Sequence, residues 1–254
     1  MEKNRQIQRV FNLIILDESG SMGAIEKQAV SGLNETLQTI SNAQCEHEEQ
    51  QHYVSFVTFN TNGIRTVMDR MEVEDGKALK WTDYNPDACT PLFDAMGQSI
   101  NKLKNHVNEE DVVLVTIITD GMENASREYS GNDIKRLVSE IKERGWVFTY
   151  IGTNQDVDAV ADDMGIRSRM AYEYSQTGAD EMFRMERKCR TAFYDTLASH
   201  GVEALKRDVN FDFFKFDHKM KRDVTDSSTA EANKEDAYKP NGVWTRVKNF
   251  FDTL

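Results

Sequence analysis

An aspartate and two serines at alternate positions, Asp17, Ser19 and Ser21, follow the apolar run Phe11-Asn-Leu-Ile-Ile-Leu16. In an extended turn alternate side chains converge on one point, which would gather one carboxylate and two hydroxyls. A second apolar run, Val112–Thr119, ends in Asp120-Gly121. If the two runs are neighbouring parallel strands, Asp17 and Asp120 meet at one sheet edge. Two carboxylates side by side repel unless a cation lies between them, and an all-oxygen set suits a hard one. Hydroxyls in place of further carboxylates keep the charge of the set low, so a bound cation still attracts an outside anion. Helix N-capping and turn formation are the competing account of Ser19 and Ser21. Against it stands the placement of the motif at one strand end, with Thr119-Asp120-Gly121 ending another.

The elements that must position these residues alternate along the chain. Phe11–Leu16 is a short apolar strand suited to burial on both faces. Ile25, Ala29, Leu33, Leu37 and Ile40 recur at helical spacing after a Gly/Ser-rich turn. Tyr53–Phe59 is β-branched and aromatic, and Asn60-Thr-Asn-Gly63 turns it into Ile64–Met68, an antiparallel edge strand. Pro91 opens a helix whose apolar face is Leu92, Met96, Ile100, Leu103 and Val107. Val112–Thr119 is the strongest central strand, followed by a helix through Ile134, Leu137, Val138 and Ile141 that Gly145 closes. Trp146–Ile151 is another strand, and Val157, Val160 and Met164 mark a short helix capped by Asn154 or Asp156. A last helix over 178–200 turns Met182, Met185, Cys189, Ala192, Phe193 and Leu197 inward. Alternation of this kind predicts a mostly parallel sheet with helices on both faces. Such sheets bind ligands at the carboxyl ends of their strands, so the loops after Leu16 and Thr119 are where chemistry belongs.

Composition sets the class. The chain of 254 residues is 39% hydrophobic and 29% charged, ordinary for a soluble globular protein. Its net charge of −12 argues against binding a nucleic-acid backbone or an anionic membrane surface. Residues 201–254 balance ten basic against ten acidic side chains, so the whole excess belongs to residues 1–200. Three scattered cysteines, Cys45, Cys89 and Cys189, form no CxxC pair and support neither a disulfide framework nor a zinc site. With no signal-peptide or transmembrane pattern, a reducing, cytoplasmic setting is expected.

Asp17-x-Ser19-x-Ser21, Cys89-Thr90-Pro91-Leu92 leading a helix, and Thr119-Asp120-Gly121 together resemble the von Willebrand factor A domain family over about residues 9–200. The segments 120–129, 145–146 and 152–156 are similar to small stand-alone bacterial and phage members. The resemblance implies an α/β, Rossmann-like doubly wound fold, mostly parallel, with one antiparallel edge strand and helices on both faces. It implies a vWA domain over 1–200. Residues 201–254 then form a C-terminal extension, with a polar linker at 221–240 and a terminal amphipathic helix bearing Val243, Trp244, Val247, Phe250, Phe251 and Leu254. It also implies a metal-ion-dependent adhesion site, abbreviated MIDAS, made of Asp17, Ser19, Ser21, Thr90 and Asp120. In the family the hydroxyls contact Mg²⁺ or Mn²⁺ directly, the two aspartates act largely through water, and a Glu or Asp of a partner protein completes the shell. The last helix of the family's domain can shift with metal rearrangement.

Around this set, Glu18, Met22, Glu123 and Asn124 are candidates for a partner-binding rim. Solvent exposure is the competing account of Glu18, and loop capping that of Glu123 and Asn124. His47 and His52 flank Glu48-Glu49 with poor ligand spacing, and an exposed loop before a strand accounts for them better than zinc. Cys89 reads as a buried or bystander thiol. The aromatic residues of the tail are expected to pack on their own domain rather than grip a partner. No nucleophile–base pair or phosphate loop appears, so a non-enzymatic, metal-dependent binding module leads. The alternatives are a Mg²⁺-dependent phosphohydrolase using Asp17, although Ser19 stands where such chemistry wants a second carboxylate, and a constitutive assembly subunit acting through 201–254.

Overall fold

The computed structural model describes residues 7–153, 156–202 and 211–215. Its sheet has six strands: β1 (Gln8–Asp17), β2 (Gln50–Asn60), β3 (Gly63–Glu72), β4 (Val112–Ile118), β5 (Val147–Gly152) and β6 (Ser168–Ala171). Four α-helices connect them, α1 (Glu26–Glu46), α2 (Leu92–Lys104), α3 (Gly131–Glu143) and α4 (Val157–Asp163), and α5 (Gln176–His200) follows β6. The strand order is β3-β2-β1-β4-β5-β6. Every neighbouring pair is parallel except β2 with β3, so the antiparallel edge is where the sequence predicts it.

Both faces of the sheet are covered, and the central strands show it in their burial. Val10, Ile14, Leu16, Leu114 and Ile118 pack against α1 and α5, together with Ala29, Leu33, Ile40, Met182, Phe183 and Phe193. Phe11, Leu13, Ile15, Val113, Val115 and Ile117 pack on the other side against Leu92, Met96, Ile100, Ile134, Val138 and Ala161 of α2, α3 and α4. Near-continuous apolar runs in β1 and β4 follow from that double burial. The chain leaves β1 toward β2 on one side and reaches β4 on the other, so strand order reverses between β1 and β4. A crevice opens at such a reversal, at the carboxyl ends of the strands. The register sets Asp17 beside Phe59 and Leu16 beside Ile118, which brings the ends of β1 and β4 level there.

Three features depart from expectation. The short strand β6 has no apolar alternation to announce it. In α5 the buried face is rotated: Met185 is 39% exposed, while Glu186 and Arg190 are buried. Arg190 donates to Glu186 Oε1 (2.8 and 2.5 Å), Asn12 Oδ1 (3.0 Å), Tyr194 OH (3.1 Å) and Thr116 Oγ1 (2.9 Å), which explains how a guanidinium sits against the mid-sheet. A hydrophobic-period reading places Met185 inward because it cannot see this polar set. His52, expected in an exposed loop, lies within β2 with no exposed surface. It shares a hydrogen bond with Gln50 Oε1 (3.0 Å) and stands edge-on to the Tyr194 ring.

After α5 the segment 211–215 returns to the core: Phe213 is buried beside Phe193, and its N–H donates to Ser168 Oγ (2.9 Å). Asp156 caps α4 by accepting from Ala159 N–H (3.0 Å); the alternative cap Asn154, the linker 221–240 and the tail helix lie outside the described residues. No helix of the described residues is long and apolar enough to cross a membrane.

Candidate metal centre

The loop after β1 places the first three donors. The Asp17 carboxylate is buried and held at both oxygens: Oδ1 accepts the Ser19 N–H (2.8 Å) and Oδ2 the Thr119 hydroxyl (2.6 Å). Ser19 Oγ and Ser21 Oγ are 3.2 Å apart, and Ser21 Oγ donates to Asp120 Oδ1 (2.7 Å). The two aspartates from β1 and from the loop after β4 are thus bridged by serine. Thr90 enters from the segment before α2. Asn124 clamps its backbone on both sides, Oδ1 accepting Thr90 N–H (2.9 Å) and Asn124 N–H reaching Thr90 O (3.2 Å). A Cβ on Gly121 would lie 3.4 Å from the Thr90 hydroxyl and 3.8 Å from the Ser21 hydroxyl, so both groups border the same small space, and glycine keeps it open. All five residues the sequence singles out, Asp17, Ser19, Ser21, Thr90 and Asp120, are brought together.

The supports come from further away. Tyr84 OH donates to Asp17 O (2.7 Å), and Tyr174 OH to Ser21 O. Gly20 N–H donates to Ala88 O (3.1 Å), and Ala88 itself takes a left-handed φ of 63° two residues before Thr90. An alanine there costs on the order of 1 kcal/mol, which the loop contacts on either side must hold in place.

Electrostatics make the set unsatisfied by itself. Burial pushes the Asp17 carboxyl up to about 6, against the hydrogen bonds from Thr119 and Ser19, and the charge of Asp120 pushes the same way. Burial also raises Asp120, whose Oδ2 is buried with no hydrogen-bond partner among the described residues. Two carboxylates and three hydroxyls, with one carboxylate oxygen unpartnered, fit a hard divalent cation directly or through its water.

The four rim candidates fare differently. Glu18 is buried rather than exposed: it accepts from Arg65 Nη2 (2.9 Å) and from Asn85 N–H (2.6 Å). Alternation turns it away from Asp17 toward β3, where a cation waits. Met22 has no exposed surface and belongs to the core beside α1, so it lines no rim. The Glu123 carboxylate caps its own loop and α2, accepting from Ala125 N–H (2.8 Å), Ser126 N–H (2.7 Å), Ser126 Oγ (2.6 Å) and Phe93 N–H (2.9 Å). Asn124 is exposed and positions Thr90.

Thr119 is the group the sequence reading passed over. It stood in the Thr-Asp-Gly run, one residue from Asp120, and that proximity was the available signal. Arg65 and Tyr174 gave none. Cys89 is exposed, a bystander rather than a buried thiol. Glu46, His47 and Asp195 have ligand atoms within 4.8 Å of one another, and His47 Nε2 pairs with Asp195 Oδ1 (2.9 Å). His52 lies apart from that group in β2.

Comparison with known proteins identifies the family and the fold. A family model described as von Willebrand factor type A domain matches residues 13–184. No curated protein matches. Among solved structures, a von Willebrand factor type A protein from Catenulispora acidiphila is 14% identical with a TM-score of 0.56, covering 73% of this chain and 43% of that one. The PilB minor pilin from Streptococcus sanguinis is 12% identical with a TM-score of 0.55, covering 77% and 63%. The SpRpn10 VWA domain is 12% identical with a TM-score of 0.51, covering 69% and 94%. The chain spans less than two thirds of the length of the two pilin structures it matches. At such identities these likenesses show a shared fold.

Proposed function

We propose, from the premise that this chain belongs to the von Willebrand factor type A domain family, that it is a metal-dependent protein-binding module. Domains of this family often mediate protein–protein interaction and bind a divalent metal. The observation that carries the reading is the convergence of Asp17, Ser19, Ser21, Thr90 and Asp120 around one space, with Asp120 Oδ2 buried and unpartnered. Those five residues would hold Mg²⁺ or Mn²⁺. The bound cation would supply the positive charge that a carboxylate of a partner protein completes. Asp17 and Asp120 neutralise the ion, while the three hydroxyls keep the set's charge low enough for a further anion.

The reading is of a binder rather than a catalyst. Ser19 and Ser21 bond to each other and Ser21 donates to Asp120, and among the described residues no histidine reaches them. Nucleophilic use of a serine is typically driven by a histidine base, and in this reading Asp120, the carboxylate that Ser21 donates to, is committed to the cation.

A pull-down with the full chain in Mg²⁺ or in EDTA, read by mass spectrometry, tests the proposal. Partners are expected to be retained in Mg²⁺ and lost in EDTA and with Thr90→Ala. Retention indifferent to both would overturn it, as would a Mg²⁺-dependent phosphatase activity that disappears in Asp17→Ala.

A further inference from the structure

One buried hydroxyl beside the metal centre has no role in the fold described so far. The strands β4, β5 and β6 run parallel, and Ile118, Ile151 and Met170 form one row across them, packed on the side of α1 and α5. The ladder continues past the strand ends: Thr119 N–H donates to Ile151 O (3.1 Å) and Tyr172 N–H to Gly152 O (3.1 Å). Two residues further on, the same register sets Asp120, Thr153 and Tyr172 in a row. Side chains two apart in extended backbone leave on the same face, so this second row faces the same side as the first. All three residues are buried, and Tyr172 belongs to the core on that side. Asp120 and Tyr172 stand two ladder spacings apart, about 10 Å between backbones, which an aspartate and a tyrosine side chain together nearly span.

Two polar atoms of this row have no hydrogen-bond partner among the described residues: Asp120 Oδ2 and the Tyr172 hydroxyl. A buried tyrosine hydroxyl usually has one. The other two tyrosines at the centre do, Tyr84 OH donating to Asp17 O and Tyr174 OH to Ser21 O. Burial, and next the charge of Asp120, push the Tyr172 hydroxyl up, so the donor without an acceptor and the acceptor without a donor act on one another.

We propose that Tyr172 is a positioning residue of the metal centre: its hydroxyl, through one water, donates toward Asp120 Oδ2 and fixes that carboxylate in the orientation that holds the cation. The inference rests on the metal-bridge reading and adds a group from the end of β6 to the site. The Asp120 carboxylate is then steadied from both sides, Oδ1 by Ser21 and Oδ2 by Tyr172. A buried water needs two polar partners at least, and these two atoms supply them. Groups placed behind a metal ligand set its orientation, and their loss weakens metal binding by about 10- to 100-fold.

The test is Tyr172→Phe, which removes the hydroxyl and keeps the ring. Mn²⁺ binding to the full chain is measured by isothermal titration calorimetry at neutral pH for wild type, Tyr172→Phe and Asp17→Ala, and each protein is melted in EDTA. Tyr172→Phe should bind Mn²⁺ about tenfold more weakly than wild type while its melting temperature in EDTA stays within about 4 °C. A hydroxyl that only supports the fold would move the melting temperature, whereas one that positions Asp120 moves the affinity. A loss of affinity smaller than about threefold, or a melting temperature in EDTA lowered by more than about 4 °C, overturns this inference alone. No Mn²⁺ binding by wild type, or binding that Asp17→Ala leaves unchanged, overturns the metal-bridge reading beneath it.

Discussion

Replacing Asp17 by asparagine is expected to stabilise the metal-free protein at neutral pH while removing its response to a divalent cation. The side chain has no exposed surface, and burial holds its carboxyl at about 6 against an ordinary 3.8. Between those two values the folded state binds more protons than the unfolded chain. Stability therefore falls as pH rises through that window and stays lowered above it. The loss is on the order of 3 kcal/mol. Asparagine carries no charge there, and its Oδ1 still accepts the Ser19 N–H. Its amide cannot accept the Thr119 hydroxyl, which costs about 1 kcal/mol. The variant should then exceed wild type by roughly 2 kcal/mol near neutral pH, or roughly 4 to 8 °C in Tm for a domain of this size. Near the ordinary carboxyl value the gain vanishes and only the lost hydrogen bond remains, so the sign of the difference reverses. Titrating groups not coupled to Asp17 cancel in the comparison, while Asp120, whose charge acts on Asp17, adds a smaller pH-dependent difference. Thermal melts of both proteins in EDTA across this range measure it. In Mg²⁺ at about 100 times its Kd, wild type should recover about 2.7 kcal/mol by linkage and the variant nothing. A difference between the two proteins that is constant with pH would refute the argument, because the cost assigned to the buried charge must titrate.

Three further outcomes follow from the packing. Arg190→Leu leaves Glu186 as a buried charge without its cation and should cost about 3 to 5 kcal/mol in urea melts; adding Glu186→Leu should restore much of that, since replacing both partners removes the uncompensated charge. His52 is held neutral, lowered to about 3 by burial and then by the charges of Arg190 and His47. Its folded value lies below the ordinary 6.5, so the unfolded chain takes up the proton first and stability falls as pH drops from 6.5 toward 3; melts of His52→Gln should show a shallower fall. Gly32→Ala would set a Cβ 2.2 Å from the Phe183 ring, forcing α1 and α5 apart, and should cost about 1 to 3 kcal/mol by thermal melting.

The parts of the fold that were legible are those where one residue type repeats with the period of its element. Phe11–Leu16 and Val112–Thr119 are apolar except for Asn12, Thr116 and Thr119 because both faces of their strands are covered, and that run is visible without a structure. The meeting of the candidate residues was legible for the same reason: Asp17 ends β1 and Asp120 lies just past β4, so finding the strands located where the five come together. Resolution was lost where polar groups do structural work inside. Arg190 and Glu186 look like a solvated stripe of α5, and only Asn12, Thr116 and Tyr194, distant in sequence, make their burial tolerable. Glu18 looked exposed because its partner Arg65 lies on an edge strand that no local pattern ties to it.

The same circumstance bears on how a chain of net charge −12 can hold a centre proposed to take an anion. A carboxylate on a loop lowers its free energy by accepting N–H groups that the loop leaves unpaired, and charge-assisted bonds of this kind are about twice as strong as neutral ones. Glu123 and Asp94 each satisfy three backbone N–H groups, so the loops that position Thr90 and begin α2 owe their shape to acids pointing inward. Free on the rim, the same acids would compete with a partner's carboxylate for the cation. Turned inward they build the loops and leave Asp17 and Asp120 as the charges at the proposed metal centre. Composition counts all of these acids alike. Their directions separate the two that would hold a cation from those that hold up its surroundings, and direction is set by backbone N–H groups that belong to no side-chain pattern.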